Sequence, residues 1–253
     1  MNTLIPAARA ALASAFLVCG LGALPAAAQE VNPTTRDVLR RSTDTLKAAK
    51  RLSFHAELTF DESPRPGLLV QTAGAVNVDL RRPNGLHVDY RDDHGAKTLW
   101  YDGGKLTLLD WSAGVFAKRE IPGTVSETLD KMEQKLGLTM PLAELIDPDP
   151  GKALLRNALR GTYLGIHDVE GVACHHLAFL QENVDWEIWI EKGAVPVPRK
   201  LLIRYKQEPG WPQYVAVLMD WKLDGKQASD TYDAQIPAGA VPVEFIDIKR
   251  ARK

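Results

Sequence analysis

His175 and His176 stand side by side in the run Cys174-His175-His176-Leu177-Ala178-Phe179. Imidazole is both a common metal ligand and an acid–base group near neutral pH. Adjacent residues on a strand face opposite sides, so this pair cannot chelate one ion without a bulge. A metal site there would need partners from elsewhere, such as His55 or His167. The chain has no CxxC, HxxxH or HExxH spacing. The expectation is therefore no metal, with both imidazoles satisfied within a sheet. Cys174 alternates in phase with Val172, Ala178 and Leu180, which predicts a buried thiol rather than a nucleophile. Asp185 and Glu187 share a strand phase and are expected to pair with Lys200 and Arg204 across a turn. A GxSxG elbow, a Walker-type loop and a GxGxxG turn are all missing from the sequence. No pattern defines a reaction, so the chain reads as a non-enzyme with no catalytic residue and no cofactor.

The stretch that positions these residues runs from Val172 to Trp221 and has the pattern of an antiparallel meander. Val184, Trp186, Ile188 and Ile190 occupy one phase, while Asp185 and Glu187 point the other way and Trp189 puts an indole on that second face. Gly193 to Pro198 turns the chain, and Leu201, Ile203 and Tyr205 resume the alternation. Glu208-Pro209-Gly210 turns it again into a long strand from Tyr214 to Trp221. One continuous apolar surface results, and it needs either the chain's own helices or a ligand laid over it.

The N-terminal half supplies more sheet and the helices. Asn32-Pro33-Thr34-Thr35 predicts a helix start, with Asp37 as a first-turn acid and an amphipathic helix of about four turns following. Six strands then alternate between Phe54 and Ile121, joined mostly by short turns, which predicts consecutive antiparallel pairing. Thr124 and Glu127 have capping-box spacing, and Val125, Leu129, Met132 and Leu136 form a helical stripe that Gly137 ends. Pro141 breaks the apolar piece that follows. Asp147-Pro148-Asp149-Pro150 reads as a stiff linker, and a short helix is expected around Lys152 to Leu159. About five strands complete the order, and the segment around Ala234 to Ala240 reads as loop or edge.

Composition excludes some function classes. The 253 residues are 25% charged and 45% hydrophobic, with a formal net charge of -1. That balance offers no basic groove for nucleic acid, although the tryptophans could otherwise stack bases. Arg9, the apolar run from Ala10 to Leu24 and the small residues Ala26-Ala27-Ala28 predict a cleaved export segment over 1–28. Val18 fits badly before Cys19 for lipoprotein processing, so anchoring through Cys19 is not expected, and no membrane span follows the segment. Cleavage leaves Cys174 as the only thiol and no internal disulfide. The rest, 29–253, is read as one domain with a helical insertion at 124–159.

The residues Asp185-Trp186-Glu187-Ile188-Trp189-Ile190, the Pro196-Val197-Pro198-Arg199-Lys200 turn and the Cys174 to Phe179 run resemble an uncharacterised family of predicted periplasmic bacterial proteins. The Asp102-Gly103 hairpin and the Pro237-Ala238-Gly239-Ala240 ending share that likeness, from Pro33 to about Ile248. The family resembles the LolA-like and LolB lipoprotein-localisation superfamily. The resemblance implies a mainly β, α+β fold: a half-open antiparallel barrel of about eleven strands, with helices plugging the concave face. It also implies a periplasmic carrier whose concave side holds a lipid or lipoprotein acyl chain. The inward positions expected to line that cavity are Phe54, Leu58, Val76, Val88 and Tyr90 from the first strands. Met132, Leu136, Met140 and Leu142 would join them from the insertion, and Trp186, Ile188 and Ile203 from the meander. No local motif fixes a counterpart of the carriers' lid-locking arginine. The alternative is an envelope sensor or protein-interaction module on the same scaffold; a hydrolase lacks any supporting motif.

Overall fold

A computed structural model describes residues 30–247 of the chain. The expected export segment with Cys19, and the basic tail at 249–253, lie outside the described residues.

The elements follow the expected order. After β1 (Glu30–Val31) and α1 (Pro33–Ala48) come six strands: β2 (Arg51–Arg65), β3 (Leu68–Arg81), β4 (Gly85–Asp92), β5 (Gly95–Tyr101), β6 (Lys105–Asp110) and β7 (Val115–Glu120). The insertion holds α2 (Val125–Lys131), a π-helical turn (Met132–Leu136), α3 (Ala143–Ile146) and α4 (Pro150–Leu155). Then come β8 (Arg160–Val169), β9 (Val172–Leu180), β10 (Val184–Glu191), β11 (Pro198–Tyr205), β12 (Gln213–Leu223) and β13 (Val241–Val243). All thirteen strands form one sheet in the order β1-β8-β9-β10-β11-β12-β2-β3-β4-β5-β6-β7-β13. The eleven expected strands are thus joined by two very short ones, which pair in parallel with β8 and β7 at the two edges. They occupy edges that would otherwise present unpaired backbone groups. The order does not close on itself, so the barrel is half-open.

Local chemistry explains the helices. Asn32 accepts a hydrogen bond from the Thr34 amide at 2.9 Å, and Pro33 opens α1 where its missing N–H is no loss. Asp37 lies beyond the first turn and instead pairs with Arg40 at 2.7 Å and Arg41 at 3.3 Å on the exposed side. Val38, Leu39 and Leu46 are buried, and each contributes about 1.5–3 kcal/mol of apolar transfer. Thr124 and Glu127 close the reciprocal capping box that opens α2. Gly137, at φ 66°, stops the π-helical turn in the left-handed region. The last proline of the expected linker, Pro150, is the first residue of α4, and Asp149 caps it by accepting from the Lys152 amide. That helix ends at Leu155, short of the expected Leu159.

The helices pack on one face of the sheet, the inner one. Val184, Trp186, Ile188 and Ile190 all face this side, and Trp186 stacks on Phe179 at 4.0 Å between ring centroids. The outer face is not uniformly wet. Cys174, Val169 and Trp189 form a small second cluster there, with Val172, Leu202 and Val217 around it. The expected cross-turn ion pairs are different in the fold: Asp185 pairs with Lys206 at 2.7 Å, and Glu187 accepts from His176. Lys200 instead lies over the Trp189 ring, 4.8 Å from its centroid. Beyond β12 the chain crosses the outer face. The Tyr232 hydroxyl donates to Gln227, Arg81 covers the Tyr232 ring, and Arg119 holds Asp247 and the Phe245 carbonyl near the β7 edge.

Candidate functional site: a cavity at the helix-free end of the half-barrel

Two long excursions of the sheet frame a large cavity. The β2–β3 hairpin runs past the end of β12, and the β11–β12 turn at 206–212 leans towards it. Register sets the floor, because Phe60 faces Tyr214 on β12 and Thr72 on β3. Between hairpin and turn lies a cavity of about 840 Å³, within the range of small-molecule sites. Phe60, Pro212 and Tyr214 are buried in its floor, and Tyr205 is half-buried beside them. Pro64, Pro66, Leu68, Leu69 and Pro209 form the exposed rim. No lining residue comes from a helix, so here the sheet meets the cavity directly.

The polar groups are few and placed. Burial pushes the Tyr205 phenol up, helped by the Glu208 and Glu144 charges, and raises Tyr214 well above its ordinary value. Both therefore stay neutral hydrogen-bond donors at physiological pH. Tyr90 is raised too, mainly by burial, and its hydroxyl donates to Asp92 Oδ2 at 2.8 Å. Asp61, Glu62, Asp92 and Glu208 line the space against one guanidinium, Arg65.

A smaller cavity of about 120 Å³ lies within the helical insertion, bounded by Val125, Leu129, Leu138, Met140 and Glu144. Burial raises the Glu144 carboxyl above its usual range. Arg82 ties this plug to the sheet, donating to the Ala49 carbonyl at 3.2 Å and the Ile146 carbonyl at 2.9 Å. It thereby joins the end of α1 to the end of α3. No local sequence motif marks Arg82 for this task.

The twelve residues expected to line a ligand cavity all belong to one apolar cluster on the inner face. Phe54, Leu58, Val76, Val88, Met132, Met140, Leu142, Trp186 and Ile188 are buried in it, while Tyr90, Leu136 and Ile203 are half-buried against it. Met140 also borders the smaller cavity, and none of the twelve borders the larger one. Sequence reading did not single out Phe60, Tyr205 and Tyr214. Their signal was the pair of proline- and glycine-rich turns, Pro64-Arg65-Pro66-Gly67 and Glu208-Pro209-Gly210, that carry the rim.

The adjacent histidines separate as strand geometry requires. His175 meets the Tyr163 hydroxyl at 3.0 Å, whereas His176 lies on the outer face. His176 Nε2 is 2.8 Å from Glu187, its Nδ1 is 2.8 Å from His167 Nδ1, and its ring stacks on Trp189 at 4.0 Å. A carboxylate only accepts, so His176 Nε2 carries a proton and donates it to Glu187. Among the described residues, no group of three or more His, Cys, Asp or Glu side chains is placed to hold a metal ion. Burial pushes the Cys174 thiol up to about 11, which keeps it protonated and unreactive.

An open, mostly antiparallel sheet with short helices packed on its inner face defines a half-barrel. The chain belongs to the family described as "Predicted periplasmic protein (DUF2092)", which matches residues 35–246. The periplasm is the compartment in that description. No curated protein matches the chain. Among solved structures it is similar to the lipoprotein LppX of Mycobacterium tuberculosis, at 13% identity, 75% coverage of this chain, 96% of that one and a TM-score of 0.46. An uncharacterised conserved protein from Thermus thermophilus is similar at 10% identity, with 83% and 99% coverage and a TM-score of 0.46. A LolA superfamily protein from Nitrosomonas europaea is similar at 8% identity, with 79% and 97% coverage and a TM-score of 0.33. Among the described residues no helix is long and apolar enough to cross a membrane.

Proposed function

We propose that this protein binds the acyl chain of a lipid or an acylated protein, without catalysis, and acts as a periplasmic carrier. The observation that carries this reading is the cavity of about 840 Å³ where the sheet is free of helices. Its floor of Phe60, Pro212 and Tyr214 suits an apolar chain, and each methylene buried there contributes roughly 0.8 kcal/mol. From this end a chain would extend towards the inner cluster, displacing Met132, Met140 or Leu142. The plug has the features of a part that yields. Its helices are short, one turn is π-helical, and Leu142 is held at φ 62°, a conformation costing an ordinary residue on the order of 1–2 kcal/mol. Methionine side chains adapt to an irregular guest.

Titration of the delipidated protein with a fluorescent acylglycerol tests the reading, beside a variant carrying a disulfide between the 138–142 segment and the sheet. The expected result is saturable binding, weakened by the crosslink and restored on reduction. Absence of binding by the intact protein would remove the carrier reading.

A further inference from the structure

Histidines hold an edge strand of the sheet to its neighbour. Over 162–169, β8 has β9 as its only sheet partner among the described residues, because β1 reaches only Arg160 and Gly161. The ladder between β8 and β9 is itself interrupted. Its register shifts between Tyr163 and Gly165, where Leu164 is skipped and Gly165 sits at φ 108°. Beyond that bulge, His167 Nδ1 meets His176 Nδ1 across the strands at 2.8 Å on the outer face. On the inner face the Tyr163 hydroxyl lies 3.0 Å from His175 Nδ1.

The outer contact has a proton limit. Two ring nitrogens form a hydrogen bond only when one carries a proton and the other a lone pair. The pair therefore holds no more than one imidazolium, whichever ring bears it. His176 has no freedom to turn away. Its Nε2 is 2.8 Å from Glu187, its ring stacks on Trp189 at 4.0 Å, and the residue is 7% exposed. His167 is exposed and stands on the edge strand, so it is the partner that can leave.

The surroundings do not neutralise a second charge. On β8, Asp168 is engaged by the Gly171 amide at 2.8 Å. On β9 the outer neighbour is the protonated Cys174 thiol. On β10, Glu187 already accepts from His176, Asp185 pairs with Lys206, and Glu191 pairs with Arg199. Lys200 of β11 adds a cation over the Trp189 ring. On the inner side, burial lowers the pKa of His175, and Arg41 of α1 and Lys192 lower it further. Cations thus face this strand pair from both sides.

We propose that the His167–His176 pair is an acid-released latch on the edge of the sheet. As the pH falls below the ordinary histidine range near 6.5, a second proton sets two imidazoliums against each other and breaks the contact. The segment 166–169 then parts from β9 at the Gly165 bulge and uncovers the β9 edge. Residues 160–161 stay in place, clamped by β1 and by Gly161, where an added β-carbon would stand 2.8 Å from the Phe179 ring. The latch is independent of the carrier reading.

Hydrogen exchange of the intact chain at pH 7.5 and pH 5, corrected for the intrinsic pH dependence of amide exchange, tests it. Protection of the β9-bonded amides in 166–169 should fall about tenfold or more at the lower pH, while β3–β5 keep theirs. His167→Gln replaces an exposed side chain, so the fold should persist, and glutamine takes up no proton in this range. Protection at 166–169 in that variant should be the same at both pH values. Imidazole NMR gives a second readout: His167 and His176 should take up protons in two separated steps, and His176 in one step once His167 is replaced. Equal protection of the unaltered chain at both pH values, a loss spread evenly over the sheet, or a pH step that survives His167→Gln would each overturn the latch.

Discussion

Leu69 and Gly210 meet across the rim of the cavity: a β-carbon added to Gly210 would stand 2.9 Å from Leu69 Cδ1. The β2–β3 hairpin and the β11–β12 turn therefore touch at their tips, and glycine permits the approach. Gly210 also sits at φ 83°, where a side chain is strained whatever space it has. Gly210→Ala should cost about 1–2 kcal/mol in urea melts, mostly from the backbone, because the end of Leu69 can swivel. The expected companion effect is faster amide exchange across residues 63–69; unchanged exchange there would mean the contact does not hold the hairpin.

Trp186 is 2% exposed, stacks on Phe179, and buries an indole N–H that finds no partner. Its replacement by alanine should cost on the order of 3–5 kcal/mol. Trp186→Phe should be much milder, since it discards an unsatisfied donor together with part of the ring. Trp189, on the opposite face, lies in the small outer cluster under Lys200, so Trp189→Ala should fall between these two. Equal losses for Trp186→Ala and Trp189→Ala would show that the two faces contribute alike.

Arg82 joins the ends of α1 and α3 by two donated hydrogen bonds, and burial lowers its pKa while leaving it charged. Removing charged donors from two carbonyls costs roughly 1.5–3 kcal/mol for each bond. Arg82→Ala, which removes both, should destabilise the fold by about 3–6 kcal/mol and loosen the insertion first. Hydrogen exchange should speed up at 143–147 before it changes in β2–β4; simultaneous loosening would make Arg82 a general core contact rather than a tie on the plug.

Burial lowers the pKa of His176, although the Glu187 carboxylate opposes the shift. Burial lowers that of His175 too, with Arg41 and Lys192 adding to it. The folded chain thus resists protons that the unfolded chain accepts near the ordinary value of 6.5. Stability from these sites is full above that pH and is lost as the pH falls through it towards the folded values. His55 runs the other way: burial lowers its pKa, but the Glu57 and Asn77 contacts outweigh this and raise it. Its contribution is present below the ordinary value and fades as the pH rises through the raised one. The stability gap between the unaltered chain and His176→Gln should therefore be wider at pH 7.5 than at pH 5. A gap independent of pH would assign His176 a packing role alone.

Export should leave Gln29 as the first residue, given the small residues that precede it. Intact-mass measurement of protein recovered from the periplasm checks this, and a diacylglycerol-sized addition on a chain beginning at Cys19 would overturn it.

Period and turn chemistry in the sequence determined which side most residues face and where the elements end. Val184, Trp186, Ile188 and Ile190 share the inner face because a strand repeats every two residues, and Thr124 with Glu127 closes a cap because both partners lie within one turn. These interactions are local, so residue spacing suffices to read them. Tertiary structure decided the rest. Asp185 pairs with Lys206 rather than its nearer neighbours, Arg82 finds the ends of two helices, and the outer face buries Cys174 against Trp189. The cavity depends on β2 pairing with β12, which sets Phe60 opposite Tyr214 from the far end of the chain. Alternation places each residue on its strand's buried side but cannot say which strand lies next to it. Nor can it show that hairpin and turn frame a cavity none of whose lining residues comes from a helix.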